Sequence, residues 1–172
     1  MKKILAVLFA LTVCSTAQSK NFFDISYNTL TDLPDGVNVD GYGLMYSSVE
    51  DNITFRGGYM VLDITNDYGY GFRGDAASFG GDIGVESFAA GTFYGGADLL
   101  LVDGDSDVAF SIGYSKRKID EFSYDFAITH SDGESTFGAS IRLPVSNGGG
   151  IQLGIADSDF STAVTVGYSF GF

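Results

Sequence analysis

Apolar and polar residues alternate along most of the chain beyond residue 20, and the alternation falls into ten separate runs. A period of two places successive side chains on opposite faces of a β-strand, whereas an amphipathic helix repeats its apolar positions every three or four residues. The apolar positions of the runs lie within 23–27, 42–46, 53–61, 79–85, 93–101, 108–114, 122–128, 137–143, 151–155 and 164–172. Turn-forming residues such as those at 103–105 and 131–133 separate many of the runs. The pattern therefore predicts an all-β chain.

The polar face of these strands indicates what surrounds the sheet. In a soluble sheet this face meets water and is polar or charged, but here it carries glycine interleaved with Ser, Ala and Thr. The glycines on this face are Gly41, Gly43, Gly58, Gly80, Gly84, Gly96, Gly113, Gly138, Gly154, Gly167 and Gly171. Most of the 15 Phe and 10 Tyr residues lie on the opposite face. A bulky apolar exterior around a small polar interior is typical of a barrel in lipid.

We therefore predict an antiparallel up-and-down transmembrane β-barrel of ten strands, formed by residues 18–172. A barrel of eight strands is the alternative, if two of the weaker runs (149–157 and its neighbour) belong to loops. An even number of strands returns both chain ends to the same side of the membrane, as in bacterial single-chain barrels.

The first 17 residues have the pattern of an export signal. Lys2 and Lys3 provide a positive start, residues 4–13 form a short apolar run, and Ser15 and Ala17 suit cleavage after Ala17. Cleavage after residue 19 is the alternative. Because the apolar run is too short for a permanent transmembrane helix, residues 1–17 are predicted to be a removable signal peptide. The single cysteine lies in this segment, so disulfides and thiol chemistry are not expected in the mature chain.

The end of the sequence has alternate apolar or aromatic positions that finish on Phe, namely Val164, Val166, Tyr168, Phe170 and Phe172. A closing strand of this kind resembles that of the small Gram-negative outer-membrane β-barrel proteins of the OmpA/OmpX class. The resemblance implies a multi-pass protein of the bacterial outer membrane, in contact with outer-membrane lipids and lipopolysaccharide. It also implies that periplasmic chaperones and the barrel assembly machinery recognise the closing strand during biogenesis.

The chain is strongly acidic, with 22 Asp and Glu against 9 Lys and Arg and a formal net charge of −13. This balance excludes the basic surface that nucleic-acid binding requires. With both termini periplasmic, the outward-facing connections hold most of the acids: Asp32, Asp35, Asp40, Asp63, Asp67, Asp75, Asp103, Asp105, Asp107, Asp132, Glu134, Asp157 and Asp159. One interpretation is that divalent cations bind there and bridge the acidic rim to lipopolysaccharide phosphates.

Residues 103–107 resemble the start of a calcium-binding EF-hand loop, because carboxylates alternate along them. The resemblance ends at Val108 and Tyr114, which stand where that loop needs Gly and a bidentate Glu. A tight acidic hairpin turn is therefore the preferred interpretation, and no metal site is predicted.

Seven charged residues fall on the face predicted to line the lumen: Asp24, Arg56, Asp82, Glu86, Asp98, Asp125 and Arg142. Charges at membrane depth are costly unless they meet water or one another. Arg56 is expected to reach Asp82 or Glu86, and Asp125 and Arg142 are expected to lie diagonally across a hairpin. The set predicts either a structural barrel filled by ion pairs or a narrow, cation-preferring pore.

Other inward positions suggest two further properties of the lumen. Asp98 is expected to lack a charged partner. Met60, Leu62 and Leu100 point inward near the predicted outer end, where they are expected to seal the mouth or to hold an apolar ligand.

A lipid-modifying enzyme is an alternative function, because some barrels of this size use His with Ser and an acid. The single histidine, His130, precedes Ser131 and Asp132. Neighbouring residues of a strand point to opposite faces, so His130 and Ser131 are not expected to share a hydrogen bond. The chain is therefore predicted not to be an enzyme, and no cofactor is expected.

A surface-binding module is a second alternative. The longest predicted outer loop, 64–76, carries Tyr68, Tyr70 and Phe72 interleaved with glycine. Aromatic side chains on such a loop provide a contact surface for another protein. The preferred interpretation is that they tuck into the barrel mouth or lie at the lipid interface.

Overall fold

The computed structural model describes residues 21–33, 36–50, 52–86, 91–116, 121–145 and 147–171, and the side chains of 50 and 86 are outside that description. These residues form ten strands: β1 (Asn21–Thr31), β2 (Val37–Glu50), β3 (Ile53–Asn66), β4 (Gly71–Glu86), β5 (Thr92–Val102), β6 (Asp105–Lys116), β7 (Ser123–Ser131), β8 (Glu134–Pro144), β9 (Gly149–Asp157) and β10 (Thr162–Gly171). Each strand pairs antiparallel with its neighbours in sequence, and β10 pairs with β1. The predicted ten-stranded closed antiparallel barrel is confirmed.

The alternative of eight strands is excluded by β9, one of the weaker predicted runs. Gly149–Asp157 pairs with both neighbouring strands, so that Leu153 lies opposite Ile141 on β8 and Val166 on β10. The short run is a full member of the sheet because it has partners on both sides. Among the described residues, no helix is long and apolar enough to cross a membrane.

The connections β1–β2, β3–β4, β5–β6, β7–β8 and β9–β10 lie at one end of the barrel, which we call the upper rim; the other end is the lower rim. Two upper connections are two-residue turns, Asp103-Gly104 and Asp132-Gly133. All four residues have positive φ angles, of 48°, 86°, 49° and 78° in that order. Asp-Gly suits such a turn because Gly has no Cβ and Asp tolerates the left-handed region.

The predicted long loop 64–76 is wrong in its extent. β3 continues to Asn66 and β4 begins at Gly71, so only four residues connect the two strands. The Asn66 side chain closes this turn, because its Oδ1 accepts hydrogen bonds from the amides of Tyr68 at 3.1 Å and Tyr70 at 3.0 Å. Gly69, with a φ of 78°, completes the reversal. β2, β3 and β4 are the longest strands of the barrel, with 14, 14 and 16 residues.

The two faces of the sheet have opposite polarity. Large apolar side chains, including Phe79, Ile83 and Phe110, are exposed on the outer face. The buried side chains lie on the inner face, and most of them are polar, with Ser and Thr forming the largest group. The core of this protein is therefore a polar lumen lined by small residues.

Candidate functional site

The lumen is the candidate functional site, because the predicted charges lie there. Asp24, Arg56, Asp82, Asp98, Asp125 and Arg142 are all buried on the inner face. The backbone of Glu86 lies at the end of β4, opposite Thr92, and its side chain falls outside the described part of the chain. The strand register brings together three of the charges.

Arg56 lies at the centre of a buried ion cluster, with only 1% of its surface exposed. Its Nε donates to Oδ1 of Asp98 at 2.9 Å and its Nη2 donates to Oδ2 at 2.6 Å, which makes a two-pronged pair. Its Nη1 donates to Oδ2 of Asp82. Arg56 therefore binds Asp82, one of the two partners expected for it. The expectation that Asp98 lacks a partner is wrong.

Glycine makes the ion cluster sterically possible. In the register, Gly80 lies between Arg56 on β3 and Asp98 on β5, and Gly96 lies opposite Asp82. A Cβ at Gly80 would overlap the Asp98 carboxylate, and a Cβ at Gly96 would overlap the Asp82 carboxylate. The inward glycines are therefore the spaces into which the large inward side chains of neighbouring strands fit.

Asp125 and Arg142 lie on β7 and β8 in the diagonal relation that their hairpin implies, because Asp125 faces Ser140 and Arg142 faces Ser123. Arg142 donates to the backbone carbonyl of Gly148 at 2.9 Å. Asp125 accepts a hydrogen bond from the hydroxyl of Tyr94 at 2.8 Å.

Tyr94 is a lumen residue that the sequence reading did not single out. Its ring lies over Gly113, where a Cβ would not fit, and together with Ala127 it forms a small buried apolar contact. The adjacent Phe93 obscured it, because two neighbouring aromatics do not show which of them faces inward. Gly96 and Asp98 on the same strand face inward, and alternation then places Tyr94 on the inner face as well.

An apolar layer lines the lumen above the ion cluster, toward the upper rim. The buried residues of this layer are Leu30, Val39, Met60, Leu62, Ala76, Leu100, Ala109, Ala156 and Ala163. Met60, Leu62 and Leu100 are the residues expected to seal the mouth or to hold an apolar ligand. Leu62 packs over Gly41, where a Cβ would lie 2.6 Å from its Cδ2.

An acidic cavity of about 100 Å³ lies at the upper rim. The residues that line it include Leu100, Val102, Asp105, Asp107 and Asp132. Asp107 accepts a hydrogen bond from the hydroxyl of Ser131. Within the described residues, no group of three or more His, Cys, Asp or Glu is arranged to hold a metal ion.

The three aromatics proposed as loop contacts sit at the tip of the β3–β4 hairpin. Tyr68 is 87% exposed and Tyr70 is 78% exposed, so these two side chains do not tuck into the barrel mouth. Phe72 is on β4 opposite Ile64 and is half exposed.

The predicted closing signature lies on β10. Val164, Val166 and Phe170 are exposed on the outer face, whereas Tyr168 is half-buried. The Tyr168 and Phe170 rings meet edge to face, with centroids 4.7 Å apart. Phe172 lies outside the described residues.

His130 and Ser131 point to opposite faces of β7. The Nδ1 atom of His130 lies 3.2 Å from the hydroxyl of Ser135 across the hairpin, on the exposed face. Ser131 is buried and donates to Asp107. His130 and Ser131 therefore belong to two separate hydrogen-bonded pairs.

No family model and no curated protein matches the chain. Solved structures do resemble it. A KdgM porin in complex with disordered oligogalacturonate superposes with a TM-score of 0.52 at 8% identity, covering 87% of this chain and 99% of the porin. Another KdgM porin structure gives a TM-score of 0.49 at 8% identity, with 88% and 99% covered. The beta domain of the Bordetella autotransporter BrkA gives 0.46 at 13% identity, with 90% and 99% covered. The first of these supports the same barrel fold, and identities this low support the fold alone.

Proposed function

We propose that this chain is an integral β-barrel protein of the bacterial outer membrane, with a closed lumen and a structural role in the envelope. The observation that supports the proposal best is the reversed polarity of the barrel. Apolar side chains such as Phe79 and Ile83 are exposed, while Arg56, Asp82 and Asp98 are buried. In water this arrangement would expose a large apolar surface. In a membrane the apolar outer face meets lipid, and the polar side chains are kept inside the barrel.

Aromatic residues on the outer face support the membrane assignment. Toward the lower rim, a band of ring contacts connects Phe93, Tyr114, Tyr124 and Phe126. Nearer the upper rim, a separate pair of rings is formed by Tyr27 and Tyr42. Aromatic girdles at both interfaces are a regular feature of outer-membrane barrels.

Polar residues mark where the proposed lipid band ends at the upper rim. The Tyr27 hydroxyl donates to Asp40 at 2.7 Å, and Asp63 and Arg73 are exposed on the outer face 3.7 Å apart. Charged side chains are tolerated near the interface and are costly at the bilayer midplane. The polar ends of β2, β3 and β4 therefore extend above the lipid.

A closed barrel fits the lumen better than an open pore. The apolar layer with Met60, Leu62 and Leu100 fills the upper end, and the Arg56 cluster lies directly below it. In barrels of few strands, side chains are sufficient to fill the interior. We propose no transport of oligogalacturonate, because it is a polyanion and the described lumen carries four aspartates against two arginines.

The remaining parts of the proposal concern export and partners. Residues 1–17 act as the removed signal peptide, and the closing strand with Val164, Val166, Tyr168 and Phe170 is the segment that chaperones and the assembly machinery bind. Divalent cations bridge the acidic upper rim to lipopolysaccharide. We propose no catalytic role for His130, because its described contact is with Ser135 and not with Ser131.

Two measurements test the closed-barrel proposal. The folded protein should migrate differently on a gel before and after boiling, and should need detergent or lipid to stay in solution. In planar bilayers it should give no conductance steps, while an open porin inserted in the same way does. A mature chain that is monomeric without detergent would contradict the membrane assignment; regular conductance steps would contradict the closed lumen.

A second candidate function is supported by the exposure of Tyr68 and Tyr70 at the tip of the β3–β4 hairpin. Exposed aromatics that project above the lipid form a contact surface for another protein or cell. Replacing both by Ser should abolish binding of whole cells to such a partner and leave heat-modifiable migration unchanged. Equal binding by the variant and the wild type would contradict this role.

A further inference from the structure

We propose that the lumen binds a monovalent cation between Asp82 on β4 and the hydroxyls of Ser111 on β6 and Thr129 on β7. This inference rests on the closed barrel and goes beyond the proposed structural role. It requires neither conductance nor a particular membrane.

The charge of the ion cluster is unbalanced. Arg56 contributes one positive charge, and Asp82 and Asp98 contribute one negative charge each, in side chains that are at most 4% exposed. Both carboxylate oxygens of Asp98 bind Arg56, as does Oδ2 of Asp82. Oδ1 of Asp82 is buried and makes no hydrogen bond within the described part of the chain. A buried charge without compensation is costly, so a bound cation at this oxygen would stabilise the folded barrel.

Two hydroxyl oxygens near Asp82 are also buried without a hydrogen-bond partner in the described part of the chain. The hydroxyls of Ser111 and Thr129 are buried and have no hydrogen-bond partner among the described residues. Both residues are on the inner face, and they are direct partners in the β6–β7 register. Buried hydroxyls without partners are uncommon and point to a bound ion or water.

The register places the three residues in one row on the inner face. A single inner row contains Asp82, Gly96, Ser111 and Thr129, in that order, on four successive strands. The carboxylate of Asp82 lies over Gly96, because a Cβ at Gly96 would overlap its Oδ1. Oδ1 therefore points along the row toward Ser111. With strands about 4.8 Å apart, the Cα atoms of Asp82 and Ser111 are roughly 10 Å apart. Only Gly96, which has no side chain, lies between them, and we call this interval the gap.

The chemistry of the gap favours a small monovalent cation. One carboxylate oxygen and two hydroxyl oxygens are hard ligands, of the type that alkali and alkaline-earth ions prefer. Calcium needs six to eight oxygens, usually with several carboxylates, and no such group of acids occurs among the described residues. One unbalanced negative charge matches one charge on the ion. A water molecule in the gap would provide hydrogen bonds to Asp82 and the two hydroxyls, but it would not balance the negative charge of the carboxylate.

The experiment compares thermal unfolding of the folded full chain in detergent micelles, in NaCl, KCl and tetramethylammonium chloride at equal ionic strength. Sodium or potassium at about a hundredfold excess over its Kd should raise the unfolding midpoint by about 5 °C relative to tetramethylammonium, which is too large for the gap. Asp82→Asn should abolish the difference. The matched control Asp63→Asn removes an exposed carboxylate on the outer face and should retain it.

A second variant keeps the proposal falsifiable if Asp82→Asn fails to fold. Ser111→Ala combined with Thr129→Val leaves every charge in place and should weaken the ion-specific shift, and ²³Na line broadening by this variant should be reduced in parallel. Equal midpoints of the wild type in all three salts would overturn the proposal, as would an unchanged sodium shift in Asp82→Asn or in the double variant. The proposal would also be overturned if lowering the pH raised the unfolding midpoint of the wild type while the three salts gave equal midpoints. In that case a proton, and not a metal ion, would neutralise Asp82.

Discussion

The lumen has two buried layers of opposite chemistry. Near the upper rim the buried side chains are apolar, such as Met60 and Leu62, whereas below them Arg56 is held by Asp82 and Asp98. Both layers use the same steric device, a glycine opposite a large side chain, as with Gly41 and Leu62 in the apolar layer and Gly80 and Asp98 in the ion cluster. They differ in what one deletion leaves behind. An apolar deletion leaves a cavity, whereas deletion of one charged partner leaves a buried charge without compensation.

The largest expected effect comes from removing the positive charge of Arg56 in the polar layer. Arg56→Met should lower the free energy of unfolding by about 3–5 kcal/mol, because it leaves Asp82 and Asp98 buried without a counter-charge. Urea unfolding in detergent micelles measures this loss. The triple variant with Asp82→Asn and Asp98→Asn should recover most of it. If Arg56→Met alone unfolded at the same urea concentration as the wild type, the buried aspartates would not need the charge of Arg56, and the proposed difference between the layers would be wrong.

In the apolar layer, Leu62→Ala should cost about 2–5 kcal/mol through the cavity it creates. Gly41→Ala should also destabilise, because the new methyl group would lie 2.6 Å from Cδ2 of Leu62. In the double variant, the methyl group at position 41 partly fills the space left at 62. A double-mutant cycle on the unfolding free energy should therefore show a loss smaller than the sum; strict additivity would contradict the packing of Leu62 over Gly41.

Two adjacent glycines provide a matched test of the steric device. Gly96→Ala places a methyl group in the position of the Asp82 carboxylate and should cost about 1–3 kcal/mol. Gly95 faces outward, where the closest atom to a new Cβ would be the Ser111 carbonyl oxygen at 3.8 Å. Gly95→Ala should therefore change the unfolding free energy by less than about 0.5 kcal/mol. Equal losses in the two variants would exclude the lumen as the cause.

The smallest expected effect is at an exposed ion pair. Arg73 and Asp63 are 3.7 Å apart with side chains 71% and 52% exposed. Because solvent screens such pairs, Arg73→Ala should cost less than about 1 kcal/mol, and the cost should shrink further in high salt. The same unfolding assay compares it with Arg56→Met. A loss as large as that of the buried arginine would show that burial does not control the strength of the pairs.

The strands were predictable because the proposed lipid contact makes one face apolar along each of them. The β3–β4 connection departs from this pattern. Above the apolar band, Asp63 and Arg73 replace apolar residues on the outer face, while Ile64 and Phe72 still face each other on the inner face. The hydrophobic alternation stops there, but the backbone pairing continues. A loop was therefore predicted where the structure has strand.

The ion cluster was predictable in composition and only partly in pairing. The inward parity of Arg56, Asp82 and Asp98 follows from the alternation. Arg56 and Asp98, however, are 42 residues apart in sequence and belong to strands separated by β4. Their contact depends on the register of two successive hairpins. The alternation does not fix that register, and Asp98 was expected to lack a charged partner although it binds Arg56.

The sequence by itself determined the class of the fold and the face on which most strand residues lie, because period-two alternation is a local property of the chain. The choice between ten and eight strands was decided by the pairing of β9 with both neighbouring strands. The tertiary structure alone decided which inward residues meet. Closure of β10 onto β1 and the register between strands bring residues of distant segments together, as when the Thr165 hydroxyl donates to Asn28 at 2.6 Å across the closing pair. A shift of one residue in register reverses every inward and outward position of a strand. The pairing of the charged residues in the lumen is therefore a property of the assembled barrel.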